Sequence, residues 1–267
     1  MKAILAIDQG TTGTTVAVMN TRGVVLGSVN HEFPQIYPKP GWVEHDPEAI
    51  WSSVLKGIRS VFRKGLCKPA DIACIGITNQ RETALLWERR TGKPLGNAIV
   101  WQCRRTAAFC EGLRKKGVEP MVRDRTGLVL DPYFSGSKFR WLLNDIDGAR
   151  GRARRGEIAA GTIDAYLLAR LTGGLVHATD VSNASRTSLM NLLTLDWDLD
   201  LLKLFNVPRN VLPDIIPSSG DLGRTLGVPG LPDGLPISGI AGDQQSALFG
   251  QAGFERGAAK CTFGTGS

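Results

Sequence analysis

The chain has 267 residues, of which 42% are hydrophobic and 21% are charged, and its formal net charge is +7 at pH 7. This hydrophobic fraction excludes disorder over most of the length, and the 32 glycines and 14 prolines follow no short period, which excludes a collagen-like chain. The length suffices for one large domain or two small ones.

The excess positive charge lies in one stretch, residues 104–155, which contains 13 Lys and Arg against 6 Asp and Glu. Nucleic-acid-binding proteins usually show a recognisable module with interleaved aromatic side chains, and we find none here. A solvated helical face explains such a stretch more simply. We therefore interpret it as surface helices and predict no nucleic-acid partner.

The N-terminal segment is apolar for only five residues before Asp8, which is too short for a signal peptide. No run of the sequence approaches the ~20 apolar residues that are needed to cross a bilayer. The five cysteines form an odd set without a Cys-x-x-Cys pair, which favours a reducing compartment. The sequence therefore predicts a cytoplasmic protein with no membrane insertion.

The predicted elements begin with an antiparallel meander of three strands, over residues 2–7, 14–19 and 24–29. A helix is predicted from Asp46, as N-cap before Pro47, to about Lys64. Further strands are predicted over residues 72–78, 83–87, 97–101 and 237–240, and further helices over 104–116, 136–145, 162–171 and 244–249. The proline-rich region 207–236 is predicted to be mostly loop. This order indicates an α/β fold with a mixed sheet flanked by helices.

The first turn of the meander, residues 8–12, combines an aspartate, a glycine and two threonines. Backbone N–H groups and hydroxyl groups that converge in such a turn suit phosphate oxygens. Asp8, at the end of the preceding strand, can hold Mg²⁺ through water, because this ion gives up its hydration shell reluctantly. An ordinary hairpin turn explains the same pentapeptide equally well.

Polar side chains also follow the strand that ends at Thr78. Arg81 and Glu82 stand side by side there, and each can hydrogen-bond a different hydroxyl of a polyol. A solvated loop is the alternative. Trp101 ends another predicted strand, and a tryptophan taken alone is more typical of a core. Tyr133 lies just before a predicted helix.

Asp243 is the strongest catalytic candidate, because it follows a strand and a glycine at the start of a predicted helix. A helix N-terminus stabilises a carboxylate as the anion, and the glycine leaves room for a substrate. A plain N-cap aspartate is the alternative. The three histidines, His31, His45 and His177, lie in none of these segments, so the pattern does not favour a histidine-based triad.

Taken together and in this order, residues 8–12, 79–83, 100–106, 126–138, 183–187 and 240–250 closely resemble the glycerol kinases of the FGGY sugar-kinase family. That family is built on the actin-like ATPase, ribonuclease-H-like fold. The resemblance implies phosphorylation of glycerol to sn-glycerol 3-phosphate, with ATP and Mg²⁺ as cofactors, by a homo-oligomeric protein. The resemblance extends from Lys2 to the end of the chain.

The resemblance also implies a role for particular residues. Those that would contact glycerol are Arg81, Glu82, Trp101, Tyr133, Asp243 and Gln244. Those that would hold the phosphates are Thr11, Thr12 and Gly13, with Thr265 and Gly266 in a second phosphate turn. Asp243 would be the general base that takes the proton of the attacking hydroxyl, and Asp8 would organise Mg²⁺, again through water.

Family members are considerably longer and carry the adenine pocket in a second domain. We therefore expect residues 1–252 to form the N-terminal, glycerol-binding domain, and residues 253–267 to form the first strand and phosphate turn of a second, ATP-binding domain. The 267-residue chain alone is expected to bind polyols weakly and to have no appreciable kinase activity, because one domain cannot enclose the γ-phosphate or exclude water.

The sequence departs from the family pattern at Thr15, where many members have an arginine near the phosphates. The loop 230–236 also lacks the pattern through which some bacterial members bind fructose 1,6-bisphosphate, so this regulation is not expected. Two other functions stay open. One is a related kinase that acts on a pentulose or another polyol, and the other is a non-catalytic polyol-binding module.

Overall fold

A computed structural model describes residues 2–263 of the chain. Its strands are β1 (Ala3–Gln9), β2 (Gly13–Asn20), β3 (Val25–Glu32), β4 (Glu44–His45), β5 (Ile72–Asn79), β6 (Ala84–Glu88), β7 (Ala98–Ile99), β8 (Ile158–Thr162), β9 (Ala178–Asp180), β10 (Met190–Asn191), β11 (Asp196–Trp197), β12 (Asp214–Ile216) and β13 (Ile237–Gly242). Its α-helices are α1 (Pro47–Arg63), α2 (Ala107–Lys115), α3 (Glu119–Thr126), α4 (Ser135–Asp145), α5 (Ala149–Arg154), α6 (Ile163–Leu171), α7 (Val181–Ala184), α8 (Leu199–Phe205) and α9 (Asp243–Gly250).

The larger sheet has five strands in the order β13-β5-β1-β2-β3. The meander β1-β2-β3 is antiparallel, whereas β1, β5 and β13 run parallel to one another. Because the carboxyl ends of parallel strands meet at one edge, Asp8 lies beside Thr78, and Gly242 lies beside Asn79. In open α/β sheets, ligands bind beyond this edge.

Helix α1 packs against this sheet and begins where the sequence predicts. The Asp46 side chain accepts a hydrogen bond from the Glu48 backbone N–H at 2.9 Å, and Pro47 occupies the first turn. Gly57 faces Val16 of β2, and a Cβ at Gly57 would lie only 2.4 Å from a Val16 methyl carbon. This glycine therefore permits the close approach of helix and sheet.

A second sheet has four strands in the order β4-β7-β6-β8 and separates two apolar cores, and two further pairs of strands are β9 with β12 and β10 with β11. Alternate residues of β6 enter opposite cores: Leu85 and Trp87 pack with the larger sheet, whereas Ala84 and Leu86 pack with the core of helices α2 to α5 and α8. Both faces of this sheet are thus buried, which anchors the loop that joins β5 to β6. That loop carries Arg81 and Glu82.

The predicted mixed α/β architecture is confirmed, with differences in detail. The strand predicted over 97–101 is only Ala98–Ile99, and β8 is absent from the predictions because Ala159, Ala160 and Gly161 carry no β-branched pattern. The predicted loop 207–236 contains the short strand β12. Within the described part of the predicted second domain, residues 253–263, the structure shows no strand.

The interpretation of residues 104–155 as surface helices is wrong for two of its basic residues. The Arg105 side chain is buried, pairs with Glu44 at 2.6 Å and stacks against Trp42 and Trp141. Lys138 is fully buried in α4. None of the helices within residues 2–263 is long and apolar enough to cross a membrane.

Candidate active site

The turn between β1 and β2 is tight and lies at the carboxyl edge of the larger sheet. The Gly10 N–H donates to the Gly13 carbonyl at 2.9 Å. A Cβ at Gly13 would lie 3.1 Å from the His31 carbonyl oxygen, so a larger residue would disturb the pairing of β2 with β3. Thr12 is exposed at the turn and Thr11 partly so, which leaves this backbone open to a ligand.

A buried polar network supports this turn from below. Gln80 Nε2 donates to Gln9 Oε1 and to the Gly10 carbonyl, both at 3.1 Å, and lies 3.3 Å from His45 Nδ1. His45 Nε2 lies 2.7 Å from Gln35 Oε1, and Gln35 Nε2 donates to the Thr11 carbonyl at 3.0 Å. Burial lowers the pKa of His45 to about 4, so this ring is neutral at pH 7. No local sequence pattern predicted this role for His45 or Gln35.

Asp8 lies beside this turn, and its carboxylate reaches solvent. Desolvation by the surrounding protein raises the pKa of the Asp8 carboxyl, and the negative charge of Asp243 raises it further. The two predicted carboxylates are therefore close enough to repel each other. A cation placed between them or beside them would relieve this repulsion.

Arg81 and Asp243 are in direct contact. Arg81 Nε donates to Asp243 Oδ1 at 3.0 Å, and the Arg81 guanidinium also contacts Gln245 Oε1 at 3.4 Å. Asp243 is the first residue of α9, whose N-cap is Gly242, so the interpretation of Asp243 as a plain N-cap is wrong. A Cβ at Gly242 would lie 2.4 Å from Arg81 Cδ, so this glycine leaves the space that the arginine needs.

Glu82 is held in an unusual conformation behind Arg81. Its φ is 62°, which is uncommon for a residue other than glycine, and its side chain is buried. Glu82 Oε1 accepts a hydrogen bond from Arg186 Nε at 2.6 Å. Burial raises the pKa of the Glu82 carboxyl, and the positive charges of Arg186 and Arg81 oppose this shift.

Two aromatic side chains border the same region. The Trp101 and Tyr133 rings have centroids 5.6 Å apart, and Trp101 Nε1 donates to Thr11 Oγ1 at 3.0 Å. The Arg186 guanidinium lies 5.7 Å from the Tyr133 ring. Burial raises the pKa of the Tyr133 phenol, and the negative charge of Glu82 adds to this shift.

A second set of polar groups supports the start of α9. The Gly242 N–H donates to Ser182 Oγ at 2.8 Å. Asp180 accepts hydrogen bonds from the Ser182 and Asn183 backbone N–H groups, both at 3.0 Å. Asn183 in turn exchanges hydrogen bonds with Asn79, at 3.0 and 3.1 Å. The carboxyl ends of β5 and β13 are therefore tied together beneath Asp243.

The structure thus brings most of the predicted residues into one region. Contacts or electrostatic coupling join Asp8, Thr11, Arg81, Glu82, Trp101, Tyr133 and Asp243, and Thr12 and Gly13 belong to the same turn. Gln244 follows Asp243, and its Oε1 accepts a hydrogen bond from Thr262 Oγ1 at 2.9 Å. Thr265 and Gly266 lie outside the described residues. Within residues 2–263, no group of three or more His, Cys, Asp or Glu side chains is arranged to hold a metal ion.

Arg186 was not predicted as a site residue, although residues 183–187 belong to the segments that resemble the family. Its partner Glu82 is 104 positions away, so no local pattern could have joined them. A buried carboxylate needs a cationic partner or a proton, and that requirement alone could have suggested a search for a distant arginine.

Comparison with known proteins adds a family model and a set of relatives. Residues 3–250 match the model of the FGGY family of carbohydrate kinases, N-terminal domain. A glycerol kinase of Bdellovibrio bacteriovorus is 55% identical over 264 residues, which are 99% of this chain and 53% of that protein. Glycerol kinase 2 of Thermotoga maritima is 52% identical over 270 residues, with shares of 100% and 53%. The chain therefore spans about half the length of the curated relatives it matches.

Solved structures agree with these matches. The crystal structure of Plasmodium falciparum glycerol kinase with ADP superposes with a TM-score of 0.92 at 38% identity, over 99% of this chain and 53% of that one. Gluconate kinase of Lactobacillus acidophilus superposes with a TM-score of 0.81 at 26% identity, over 91% of this chain and 48% of that one. The predicted actin-like, ribonuclease-H-like fold is confirmed.

Proposed function

The chain belongs to the FGGY family of carbohydrate kinases, and on that premise we propose that it supplies the glycerol-binding part of an ATP-dependent kinase that forms sn-glycerol 3-phosphate. The observation that carries this proposal is the contact of Arg81 with Asp243, beside the Trp101–Tyr133 aromatic pair. These side chains offer hydrogen-bond donors, an acceptor and an apolar surface over a short span. A small triol needs that combination.

Recognition of the polyol follows from the charges at the site. Arg81 donates hydrogen bonds, whereas the Glu82 and Asp243 carboxylates accept them. A substrate hydroxyl can therefore be bound both as an acceptor and as a donor. Trp101 is partly exposed and presents an apolar surface to the carbon chain. Tyr133 and Gln244 complete the proposed set. The Arg186–Glu82 ion pair holds the Glu82 carboxylate in place.

Asp243 is the proposed general base. Its side chain is 41% exposed, whereas that of Arg81 is 12% exposed, so the carboxylate faces the open side of the pair. A substrate hydroxyl beside Asp243 would pass its proton to the carboxylate as its oxygen attacks the γ-phosphorus and the bond to ADP breaks. Phosphoryl transfer needs mainly positioning and neutralisation of charge, and the base orients the attacking oxygen.

The proposed cofactors are ATP and Mg²⁺. The Asp8 carboxylate is exposed at the carboxyl end of β1 and offers oxygen ligands that suit a hydrated Mg²⁺, and the negative charge of Asp243 nearby adds to the attraction for a cation. Bound Mg²⁺ would neutralise charge on the phosphate groups. Thr11, Thr12 and Gly13 would hold these groups through the N–H donors of the exposed turn. Thr265 and Gly266 are proposed for a second phosphate turn.

We also propose the division of the chain into a glycerol-binding domain, residues 1–252, and the start of an ATP-binding domain, residues 253–267. The chain by itself is expected to bind glycerol weakly and to lack appreciable turnover. Binding from one side leaves the γ-phosphate open to water. A cytoplasmic location and a homo-oligomeric complete protein belong to the same proposal.

The decisive experiment joins this chain to the remaining half of the Bdellovibrio bacteriovorus glycerol kinase and measures ADP release. We expect turnover with glycerol and much slower turnover with xylulose or gluconate. The chain alone, at the same concentration, is the control for the need for a second half. Faster turnover of xylulose or gluconate than of glycerol would mean that the substrate is a larger polyol. Binding of glycerol without any turnover would favour a non-catalytic polyol-binding module.

A further inference from the structure

Lys138 is an unusual residue for a fully buried position. It lies in α4, it is fully buried, and its ammonium group donates to two backbone carbonyls, those of Tyr133 at 2.6 Å and Glu82 at 3.0 Å. Its hydrogen bonds therefore go to carbonyl oxygens rather than to a carboxylate. Tyr133 and Glu82 are both residues of the proposed glycerol site, and they lie on different segments of the chain.

The two carbonyls belong to segments whose conformation matters. Glu82 has a φ of 62°, and surrounding contacts must maintain such a conformation in a residue that has a side chain. Ser135 Oγ donates to the same Glu82 carbonyl at 3.1 Å, so two donors from α4 hold this one oxygen. Tyr133 lies just before α4, and its carbonyl is hydrogen-bonded by the same ammonium group.

Burial of this lysine carries a cost. Desolvation lowers the pKa of Lys138 to about 7, although the negative charge of Glu82 opposes the shift. Its neighbours in the core of α4 include Phe139 and Leu142, so an apolar residue would satisfy packing alone. An apolar residue at this position would lack the N–H donors that lysine carries at the end of its long side chain.

We propose that Lys138 is a positioning residue of the polyol site, which holds the backbones of Glu82 and Tyr133 at the separation that lets the carboxylate and the aromatic ring bind one ligand. The inference rests on the proposed function, since it assigns Glu82 and Tyr133 to glycerol. Lys138 itself is shielded from the ligand. It acts through the two residues that it connects.

The test uses glycerol titrations of the chain, followed by NMR. In Lys138→Met, which keeps the length of the side chain and removes the donors, we expect at least about tenfold weaker glycerol binding, as two hydrogen bonds to buried backbone carbonyls are lost. Lys138→Gln keeps an amide NH₂ group as a donor, so its glycerol affinity should lie between those of Lys138→Met and the original chain. Ser135→Ala removes one of the two donors to Glu82 and should weaken binding by about threefold, as for a neutral hydrogen bond.

Two controls separate positioning from stability. Phe139→Leu, in the same helix, should lower the urea midpoint without changing the glycerol affinity, and exposed Lys115→Met should change neither. A folded Lys138→Met variant that binds glycerol within about twofold of the original chain would overturn the inference. If neither variant at position 138 folds, unchanged affinity in Ser135→Ala would overturn it, and weaker affinity would support it.

Failure of the proposed function is distinguishable from failure of this inference. If the original chain does not bind glycerol at all, the assignment of substrate fails, and crystal structures of the variants decide the positioning role. Release of Glu82 from its positive φ in Lys138→Met, or in Ser135→Ala if the former does not fold, would support that role. An unchanged Glu82 backbone would refute it.

Discussion

Arg81 and Asp243 are 162 positions apart in the chain, yet Arg81 Nε donates to Asp243 Oδ1 at 3.0 Å. The contact forms because β5 and β13 are parallel neighbours, so Arg81, two residues after β5, meets Asp243, the residue after β13. The arginine is the more buried partner. It therefore fixes the candidate base from the protein side and leaves the carboxylate available to a substrate.

Asp243→Asn tests the proposed base. The amide keeps the size of the side chain and the oxygen that accepts from Arg81, but it cannot take a proton from a hydroxyl. In the hybrid with the second half of the Bdellovibrio enzyme, we expect kcat to fall by at least about a hundredfold, the range for loss of a general base, with glycerol binding changed much less. Asp221→Asn, at an exposed ion pair with Arg224, is the matched control and should keep full activity. Turnover near that of the parent hybrid would remove Asp243 from the mechanism.

Gly242→Ala tests the space that Arg81 occupies. The new Cβ would lie 2.4 Å from Arg81 Cδ and 2.9 Å from Gln245 Oε1, so the arginine must move away from Asp243. We expect a loss of about 1 to 3 kcal/mol in the free energy of unfolding, measured with urea, together with weaker glycerol binding. Gly239→Ala is the control in the same strand, because the nearest atom to its Cβ would be 3.9 Å away. Equal effects of both substitutions would contradict the steric explanation.

Arg186→Met tests the ion pair with Glu82. It leaves the Glu82 carboxylate buried without its nearest cation, and we expect a loss of about 3 to 5 kcal/mol at pH 7, as for other broken buried pairs. Because burial raises the pKa of the Glu82 carboxyl, the variant should recover stability relative to the original chain as the pH falls and the carboxyl takes up a proton. Arg224→Met, at an exposed pair, should cost about 0 to 1 kcal/mol. Urea unfolding at pH 7 and pH 5 measures the loss of stability in both variants. A loss in Arg186→Met that does not shrink at pH 5 would count against the ion pair.

His45 should make the fold sensitive to acid. Burial lowers its pKa from 6.5 to about 4, so the folded state favours the neutral ring. The resulting stability is present above pH 6.5 and is lost as the pH falls from 6.5 through 4, by up to about 3 kcal/mol. Protonation at Nδ1 would also turn an N–H toward the Gln80 amide donor beneath the turn at residues 8–12.

The measurement is urea unfolding between pH 7 and pH 4.5. We expect His45→Gln to be less stable than the original chain at pH 7 and to lose less free energy over this interval. His177, whose pKa burial also lowers to about 4, provides a parallel variant, His177→Gln, with a change of the same sign. If both variants follow the pH dependence of the original chain, neither buried histidine accounts for acid sensitivity.

Local features of this protein were predictable from the sequence, because their hydrogen bonds and packing patterns span only a few residues. The start of α1 follows from Asp46 and Pro47, and the turn at residues 8–12 follows from glycine and threonine between two apolar strands. The start of α9 was predicted one residue late, since Asp243 is its first residue and Gly242 its N-cap. The family was also predictable, since its motifs occur in a fixed order.

Only the tertiary structure determined how these segments meet. Glu82 and Arg186 pair across 104 positions, and His45 joins the network beneath the turn, although neither contact has a local signal. Lys138 lies in a stretch whose basic residues indicated solvent-exposed helices, yet packing of α4 beneath the β5–β6 loop buries it. The sequence by itself thus determined which residues are candidates for the chemistry. The parallel pairing of β1, β5 and β13, which depends on contacts between distant segments, determined that Asp8, Arg81 and Asp243 lie in one region.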